Sequence, residues 1–251
     1  MSQPKVTIIT ACFNAQSTIE HTLNSVKKQS YQNIEHILVD GGSTDKTLQI
    51  IQEHISPNTI VISESDEGIY DAFNKGLAKS SGQIIGFLNA DDQFANDEVI
   101  AELVTIFDHS QADAVASSVE IFKSLEPRKP YRLYKATDFK PWQFRIGIQP
   151  PHPGFYVTRS AFERVGYYRT QYRISGDFDW LLRAIVIEQL NVVYTSMISV
   201  NMLDGGASAS GLKSKRLMNK EDLKILKQHG IYSNTIMIWS KYFLKLLQLR
   251  F

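Results

Sequence analysis

Short apolar runs and stretches of helical spacing alternate through the first half of the chain. Val6 to Thr10, Ile34 to Val39, Thr59 to Ser63, Ile84 to Leu88 and Ala114 to Glu120 read as strands. Between them lie Ala15 to Gln29, Ser43 to His54, Ile69 to Ser80 and Asp97 to His109. These repeat apolar residues at the spacing of one helical face, as Ile19, Leu23 and Val26 do in the first. Strands alternating with such helices predict βαβ units. The expected fold class is therefore α/β, with a Rossmann-like, mostly parallel central sheet, flanking helices and a smaller second region.

The pattern changes after Phe122. Residues 124–153 concentrate proline and aromatic side chains and read as irregular chain that shapes a pocket or lid. Gly154 to Thr158 reads as a further strand, Arg159 to Val165 as a short helix and Asp177 to Glu188 as a longer one. Val192 to Val200 closes the sheet, and Leu217 to His229 is a helix. The expected organisation is one domain over residues 1–230, with halves 1–122 and 123–230, followed by an amphipathic helical tail over 231–251. In that tail Lys241, Lys245 and Gln248 share a face, while Trp239, Phe243, Leu246, Leu247 and Arg250 leave the others mostly apolar. Two readings stand: a helix docked on its own domain or on a second subunit, and a helix lying on the inner leaflet of a membrane.

Composition narrows the function classes. With 251 residues and 43% hydrophobic content the chain can bury one sizeable core. Lys plus Arg number 27 against 26 Asp plus Glu, which gives no basic excess of the kind nucleic-acid binders show. The single cysteine, Cys12, forms no internal disulfide framework and reads as a buried strand residue. No stretch approaches the ~20 apolar residues of a membrane span, and no basic-then-apolar leader opens the sequence. A cytoplasmic protein is expected.

The candidate chemistry gathers at strand ends, the edge where open α/β sheets bind ligands. Phe87-Leu88-Asn89-Ala90-Asp91-Asp92 runs from an apolar strand into paired carboxylates. Like charges so close repel, and a hard divalent cation carrying a phosphorylated ligand would neutralise them; the alternative is a surface turn capping the next helix. Asp40 ends the second strand before Gly41-Gly42-Ser43-Thr44-Asp45, and either meets a ribose or base or shapes the turn. Asn14 follows the first strand after Thr10-Ala11-Cys12-Phe13, and Asp66 follows the third. Asp177 and Asp179 stand at a helix start, as caps or as a general base. His152 is a rival base or a packed residue. There is no Gly-x-Gly-x-x-Gly after the first strand and no Gly-Lys-Ser/Thr phosphate loop, which argues against a dinucleotide oxidoreductase.

Taken in order, Val6 to Asn14, Val39 to Asp45, Asp66 to Gly76, Phe87 to Asp92 and Gly176 to Arg183 resemble the bacterial family 2 glycosyltransferases, inverting enzymes of the GT-A fold. The likeness covers roughly Pro4 to Asp204 and looks most like the subgroup that builds surface polysaccharides such as colanic acid or O-antigen. The resemblance implies a UDP- or GDP-sugar donor bound by Thr10, Asn14, Asp40, Asp66, Asn89 and Asp91. It implies Mn²⁺ or Mg²⁺ on Asp91, with Asn89 in place of the first aspartate of the Asp-x-Asp motif. It makes Asp177 the catalytic base, with Gly176 where the family has glutamate and Asp179 as the fallback. His152, Asp179, Trp180, Gly205 and Gly206 would line the acceptor or close a lid. The acceptor would be a glycan or lipid-linked oligosaccharide, reached at the cytoplasmic face of the membrane. A non-catalytic nucleotide- or carbohydrate-binding protein of the same fold is the alternative.

Overall fold

The computed structural model describes residues 3–56, 58–124, 129–205 and 211–246. The first half follows the apolar pattern: β1 (Val6–Cys12), α1 (Ile19–Lys27), β2 (Ile34–Asp40), α2 (Thr47–His54), β3 (Thr59–Ser63), α3 (Ile69–Lys79) and β4 (Ile84–Phe87). A two-residue strand, β5 (Gln93–Phe94), precedes α4 (Val99–Ser110) and β6 (Ala114–Phe122). The proline-rich stretch contains β7 (Pro130–Tyr134) and 3-10 turns at Ala136–Asp138, Pro141–Ile146 and His152–Gly154. Then come β8 (Phe155–Thr158), α5 (Arg159–Val165), α6 (Gly176–Leu182), β9 (Val192–Leu203), α7 (Gly211–Gln228) and α8 (Thr235–Leu246).

The described strands form one sheet in the order β3-β2-β1-β4-β8-β6-β9-β5, with β7 also paired to β6. Parallel pairing runs through β3, β2, β1 and β4. Beyond β4 the sheet is mixed: β8 pairs antiparallel with both β4 and β6, and β6 pairs parallel with β9. The expected parallel sheet thus holds for one half and gives way where β8 enters reversed. Side chains along β1 and β4 alternate between two cores. Ile9, Ile85 and Phe87 face the layer of α3, α5, α6, α7 and α8. Ile8, Ile84 and Leu88 face the layer containing α4. Burial on both faces makes β1 and β4 continuous apolar runs, as interior parallel strands require.

Several helices depart from their expected spans: α2 begins at Thr47 rather than Ser43, α7 at Gly211 rather than Leu217, and two more depart for visible reasons. The first begins at Ile19, not Ala15, because the amides of Asn14 and Ala15 donate to the hydroxyls of Ser43 in the next loop (2.8 Å) and of Thr47 at the start of α2 (2.7 Å). The expected helix 177–188 is α6 followed by a π-helical turn over Arg183–Ile187, a bulge of the kind often found beside functional sites.

Candidate active site

Three sequence-distant segments meet at the carboxyl end of the parallel half. The first is the pair of loops after β1 and β2. Asp40 is fully buried, and its carboxylate accepts from the amides of Gly42 (3.2 Å) and Ser43 (3.1 Å) and the hydroxyls of Ser43 and Ser63 (2.8 Å). Expected as a ligand contact, Asp40 instead folds the loop, since local donors satisfy both its oxygens. Asn14, in left-handed backbone at φ 49°, accepts from the amide of Thr44 (2.9 Å) and so ties the two loops together. Asp66 lies over Gly41: a Cβ there would come within 2.4 Å of the Asp66 carboxylate, so only glycine allows this approach. Asp66 is half-buried and accepts from the amide of Gly68 at 2.9 Å, which leaves it partly open to solvent. Thr10 requires a correction: it is fully buried and bonded to His36 at 3.0 Å, so its hydroxyl does not reach the surface of the site. Cys12 is buried, and burial, then Asp40, Asp45 and Asp66, push its thiol up to about 12, which excludes a thiolate nucleophile.

The second segment follows β4. Asn89 donates through Nδ2 to Asp92 at 2.9 Å, while Asn89 Oδ1 and Asp92 Oδ1 are buried without a partner. Burial raises the Asp91 carboxyl above its ordinary range. Burial and the adjacent Asp91 charge raise Asp92 well above it. Orphaned buried oxygens and destabilised carboxylates are what a hard cation relieves. Among the described residues no group of three or more His, Cys, Asp or Glu surrounds a metal position. The oxygens of Asn89, Asp91 and Asp92 therefore fit a Mg²⁺- or Mn²⁺-type ion that takes the rest of its ligands from phosphates and water. The backbone of Leu203 at the end of β9 also bonds Asp92, which brings Gly205 (φ 126°) to this side of the site. Gly206 lies outside the described residues.

The third segment is the start of α6. The Asp177 carboxylate accepts from Gln149 Nε2 (2.6 Å), Tyr70 Oη (3.2 Å) and the amide of Phe178 (2.8 Å). It is half-buried, and among the described residues no cation pairs with it. Tyr70 also bonds the carbonyl of Ile174, and burial followed by the Asp177 charge holds its phenol well above the ordinary value, so it stays a donor. Gly176 has a physical reason: a Cβ there would stand 2.6 Å from the Tyr70 ring. The ring occupies the space that the family's glutamate would need.

Three site expectations change at this segment. Asp179, two residues on, is fully buried between Arg183 Nε (2.9 Å), Arg169 Nη1 (3.1 Å) and His229 Nε2 (3.4 Å). A carboxylate closed in by guanidinium groups cannot take a proton from an incoming ligand, so it is not a fallback base. Trp180 is buried, donates to the carbonyl of Gly166 (2.8 Å) and stacks on Phe162 and Tyr168. It is core and not acceptor wall. His152 is also buried; it bonds Tyr168 Oη at 2.9 Å and packs between Phe73 and Phe87, with ring centroids 5.6 and 5.2 Å away. Burial lowers its pKa, partly offset by Asp177, so the ring is neutral packing at neutral pH. Each such aromatic contact adds about 0.5–1.5 kcal/mol beyond area burial. This cluster also locks the segments together, because Phe87 is the last residue of β4 and Phe73 lies on α3 one turn after Tyr70.

Tyr70 and Gln149 escaped sequence reasoning. Tyr70 lies 107 residues from Asp177, and Gln149 lies 28 residues away before two prolines. Only a known topology could have paired them.

With this geometry in hand, comparison with known proteins gives the class. The family model for glycosyl transferase family 2 matches residues 7–166. The chain belongs to that family, and is an enzyme of the glycosyltransferase class. A PGL/p-HBAD biosynthesis glycosyltransferase of Mycobacterium tuberculosis is 27% identical over 224 residues, covering 88% of this chain and 85% of that protein. An uncharacterized glycosyltransferase of the same species is 30% identical over 190 residues, covering 74% of this chain and 71% of its own. Among solved structures, S. aureus TarS 1–349 in complex with UDP-GlcNAc superposes with a TM-score of 0.67 at 19% identity, over 87% of this chain and 66% of that one. A mannosyltransferase from Pyrobaculum calidifontis, in complex with GDP-Man and Mn²⁺, gives 0.68 at 17% identity, over 91% and 65%. This chain spans 44% of the longer TarS chain. At such identities the structures speak for a shared GT-A-like fold.

Proposed function

We propose that this protein is an inverting glycosyltransferase that moves a sugar from a UDP- or GDP-linked donor to a hydroxyl of a glycan or lipid-linked acceptor. The observation that carries the reading is the state of Asp177. It is reachable, held in place by the neutral donors Gln149 and Tyr70, and among the described residues no cation pairs with it. A general base must meet the reacting hydroxyl within ~2.6–3.2 Å. Asp177 takes the acceptor proton as the hydroxyl oxygen attacks the anomeric carbon, and the bond to the nucleoside diphosphate breaks on the opposite face. A single displacement inverts that carbon.

On the donor side, Asp66 meets the nucleoside in a cradle whose shape Asp40 and Asn14 fix. Asp91, with the Asn89 and Asp92 oxygens beside it, would hold Mn²⁺ or Mg²⁺. Bound there, the ion would stabilise the negative charge of the departing diphosphate. The two structural neighbours, one in complex with UDP-GlcNAc and one with GDP-Man and Mn²⁺, support both donor classes without choosing between them.

The test is a transfer assay with UDP- and GDP-sugars, with and without Mn²⁺, reading the anomeric configuration of the product by NMR. Metal-dependent turnover with inversion supports the proposal; retention of configuration overturns it. Asp91→Ala separates the parts. It should lose most nucleotide diphosphate affinity in calorimetry with Mn²⁺ while melting normally, and unchanged affinity would remove Asp91 from the metal assignment.

A further inference from the structure

Charge is close to balanced over the whole chain, yet it is not evenly placed. Along α7 the cations Lys213, Arg216, Lys220, Lys224 and Lys227 are all exposed. They recur at i, i+3, i+7, i+11 and i+14, which is one helical face. Among the described residues none of the five pairs with an acid. The two acids of α7 are spent inward. Glu221 accepts the amides of Arg173, Ile174 and Ser175, and Asp222 pairs with Lys241 at 2.8 Å. The opposite face of α7 carries the buried Asn219, Asp222, Ile225 and Leu226, so the basic stripe points away from the body of the protein.

The neighbouring α8 shows the same division with different chemistry. Ile238 and Lys241 are buried against the domain, at 0% and 1% exposure. In the sequence Lys241 shares a face with Lys245 and Gln248; in the structure it is drawn inward, with the helix docked on its own domain. Its ammonium pairs with Asp222 beneath Gly147, where a Cβ would stand 3.1 Å from Nζ. The outer face of α8 is apolar and aromatic: Ile236 is 83% exposed, Phe243 71% and Trp239 45%. They recur at i, i+3 and i+7. Among the described residues no helix is long and apolar enough to cross a membrane.

We infer that the outer faces of α7 and α8 together form an interfacial platform for an anionic lipid bilayer. Apolar and aromatic side chains on α8 enter the headgroup region, and the basic stripe of α7 neutralises the lipid charge. A basic face beside an exposed aromatic one is the combination that interfacial binding uses. A polyanion in solution would need the cations alone, and a second copy of the chain would need the apolar stripe alone. The bilayer uses both. The platform also has a physical connection to the site. Lys241 sits under Gly147, two residues before the Gln149 that holds Asp177. The surface does not depend on the proposed reaction, because lipid binding needs neither donor nor acceptor.

The experiment is co-sedimentation of the full chain with phosphatidylglycerol-containing vesicles and with phosphatidylcholine vesicles. The expected result is binding to the first, weakened by salt, and little to the second. Each cation removed near the surface should weaken binding about fivefold. The triple variant Lys213→Glu, Lys220→Glu, Lys224→Glu should therefore lose at least about 100-fold. Trp239→Ser with Phe243→Ser should also lose binding, with an unchanged melting temperature and unchanged nucleotide binding. Equal sedimentation of all variants overturns the inference. Loss in the lysine variant alone, matched by lost heparin binding, would identify a polyanion site instead. Dissociation of a dimer by the Trp239 and Phe243 substitutions, without change in vesicle binding, would assign the stripe to self-association.

Discussion

The loops around Asp40 and Asp66 and the head of α6, proposed as the donor side and the acceptor side, place their carboxylates by different physics. Around Asp40 and Asp66 the carboxylates are fixed mainly by their own loops, with Ser63 of β3 adding a distant donor to Asp40. Asp40 bonds Gly42 and Ser43 two and three residues away, and Asp66 bonds Gly68. On the acceptor side an aspartate is fixed by distant side chains. Asp177 is held by Tyr70 and Gln149, and Asp179 by Arg169, Arg183 and His229. Long-range fixing makes the site a product of the whole fold, and it lets two aspartates separated by one residue do opposite work. Among the described residues Asp177 meets neutral donors and stays reachable, while Asp179 is enclosed by cations and becomes structure.

The sharpest way to break that contrast is at Asp177. Asp177→Asn keeps the size and the hydrogen bonds to the surrounding groups but removes the proton acceptor. Loss of a general base typically lowers the rate by about 10²–10⁴. The expected result is a fall of that size in kcat with donor affinity and melting temperature unchanged. If Asp177→Asn turns over normally, the base lies elsewhere and the contrast loses its functional half.

Asp179 should give the reverse pattern. Asp179→Asn leaves Arg183 nearly buried without its counter-charge, and breaking a buried pair in this way costs about 3–5 kcal/mol. Urea denaturation should show the loss. Activity per folded molecule should fall far less than in Asp177→Asn. A stable Asp179→Asn protein with a dead active site would interchange the two roles.

This pair also marks where the sequence stops being legible. The alternation of apolar runs in the first half corresponds to β1 through β4: the interior strands β2, β1 and β4 need continuous burial, the helices need one apolar face, and β3 is an edge strand whose Ile60 and Val61 stay exposed. Asp91 and Asp177 were visible as acids at a strand end and a helix start. Their surroundings were not. Asp177 and Asp179 both read as helix caps. The distinction lies in partners as far as 107 residues away for Asp177 and 50 for Asp179. Only Arg183, four residues after Asp179, was a local sign of an ion pair. The strands β5 and β7 were missed for a different reason. Two residues have no period, and β7 begins at a proline, which is tolerated because the strand lies off the main order of the sheet. The burial of Lys241 was not legible either, because helical spacing alone cannot tell a solvated lysine from one drawn inward by an acid on another helix.

The donor side conceals a titratable group of its own. His36 is fully buried against Thr10, and burial lowers its pKa to about 4 from the ordinary 6.5. The folded state keeps the ring neutral, so the unfolded chain binds the proton first as pH falls. Stability from this group is complete above pH ~6.5, declines between ~6.5 and ~4, and levels off below. The full difference corresponds to about 3 kcal/mol. His36→Gln should flatten the decline in a series of urea midpoints across that window. An unchanged slope would mean that other groups carry the acid sensitivity of this half.

The smallest effect concerns the contact that joins the two sides. Tyr70 follows the Asp66 loop by one helical turn, and its ring fills the space next to Gly176 at the head of α6. Gly176→Ala puts a Cβ 2.6 Å from that ring, and overpacking of this kind costs about 1–3 kcal/mol. Tyr70→Ala removes the ring and should also destabilise, by leaving a cavity. The informative quantity is their coupling. In the Tyr70→Ala background the new methyl has room, so Gly176→Ala should cost little or nothing. The double variant should then be at least ~0.5 kcal/mol more stable than the sum of the single effects. Gly176→Glu, the residue the resemblance implies at this position, should follow the same rule and be tolerated only without the ring. Strict additivity in urea denaturation would show that ring and glycine are independent. The missing glutamate would then need another cause, and the mechanical link between donor loop and base would be lost.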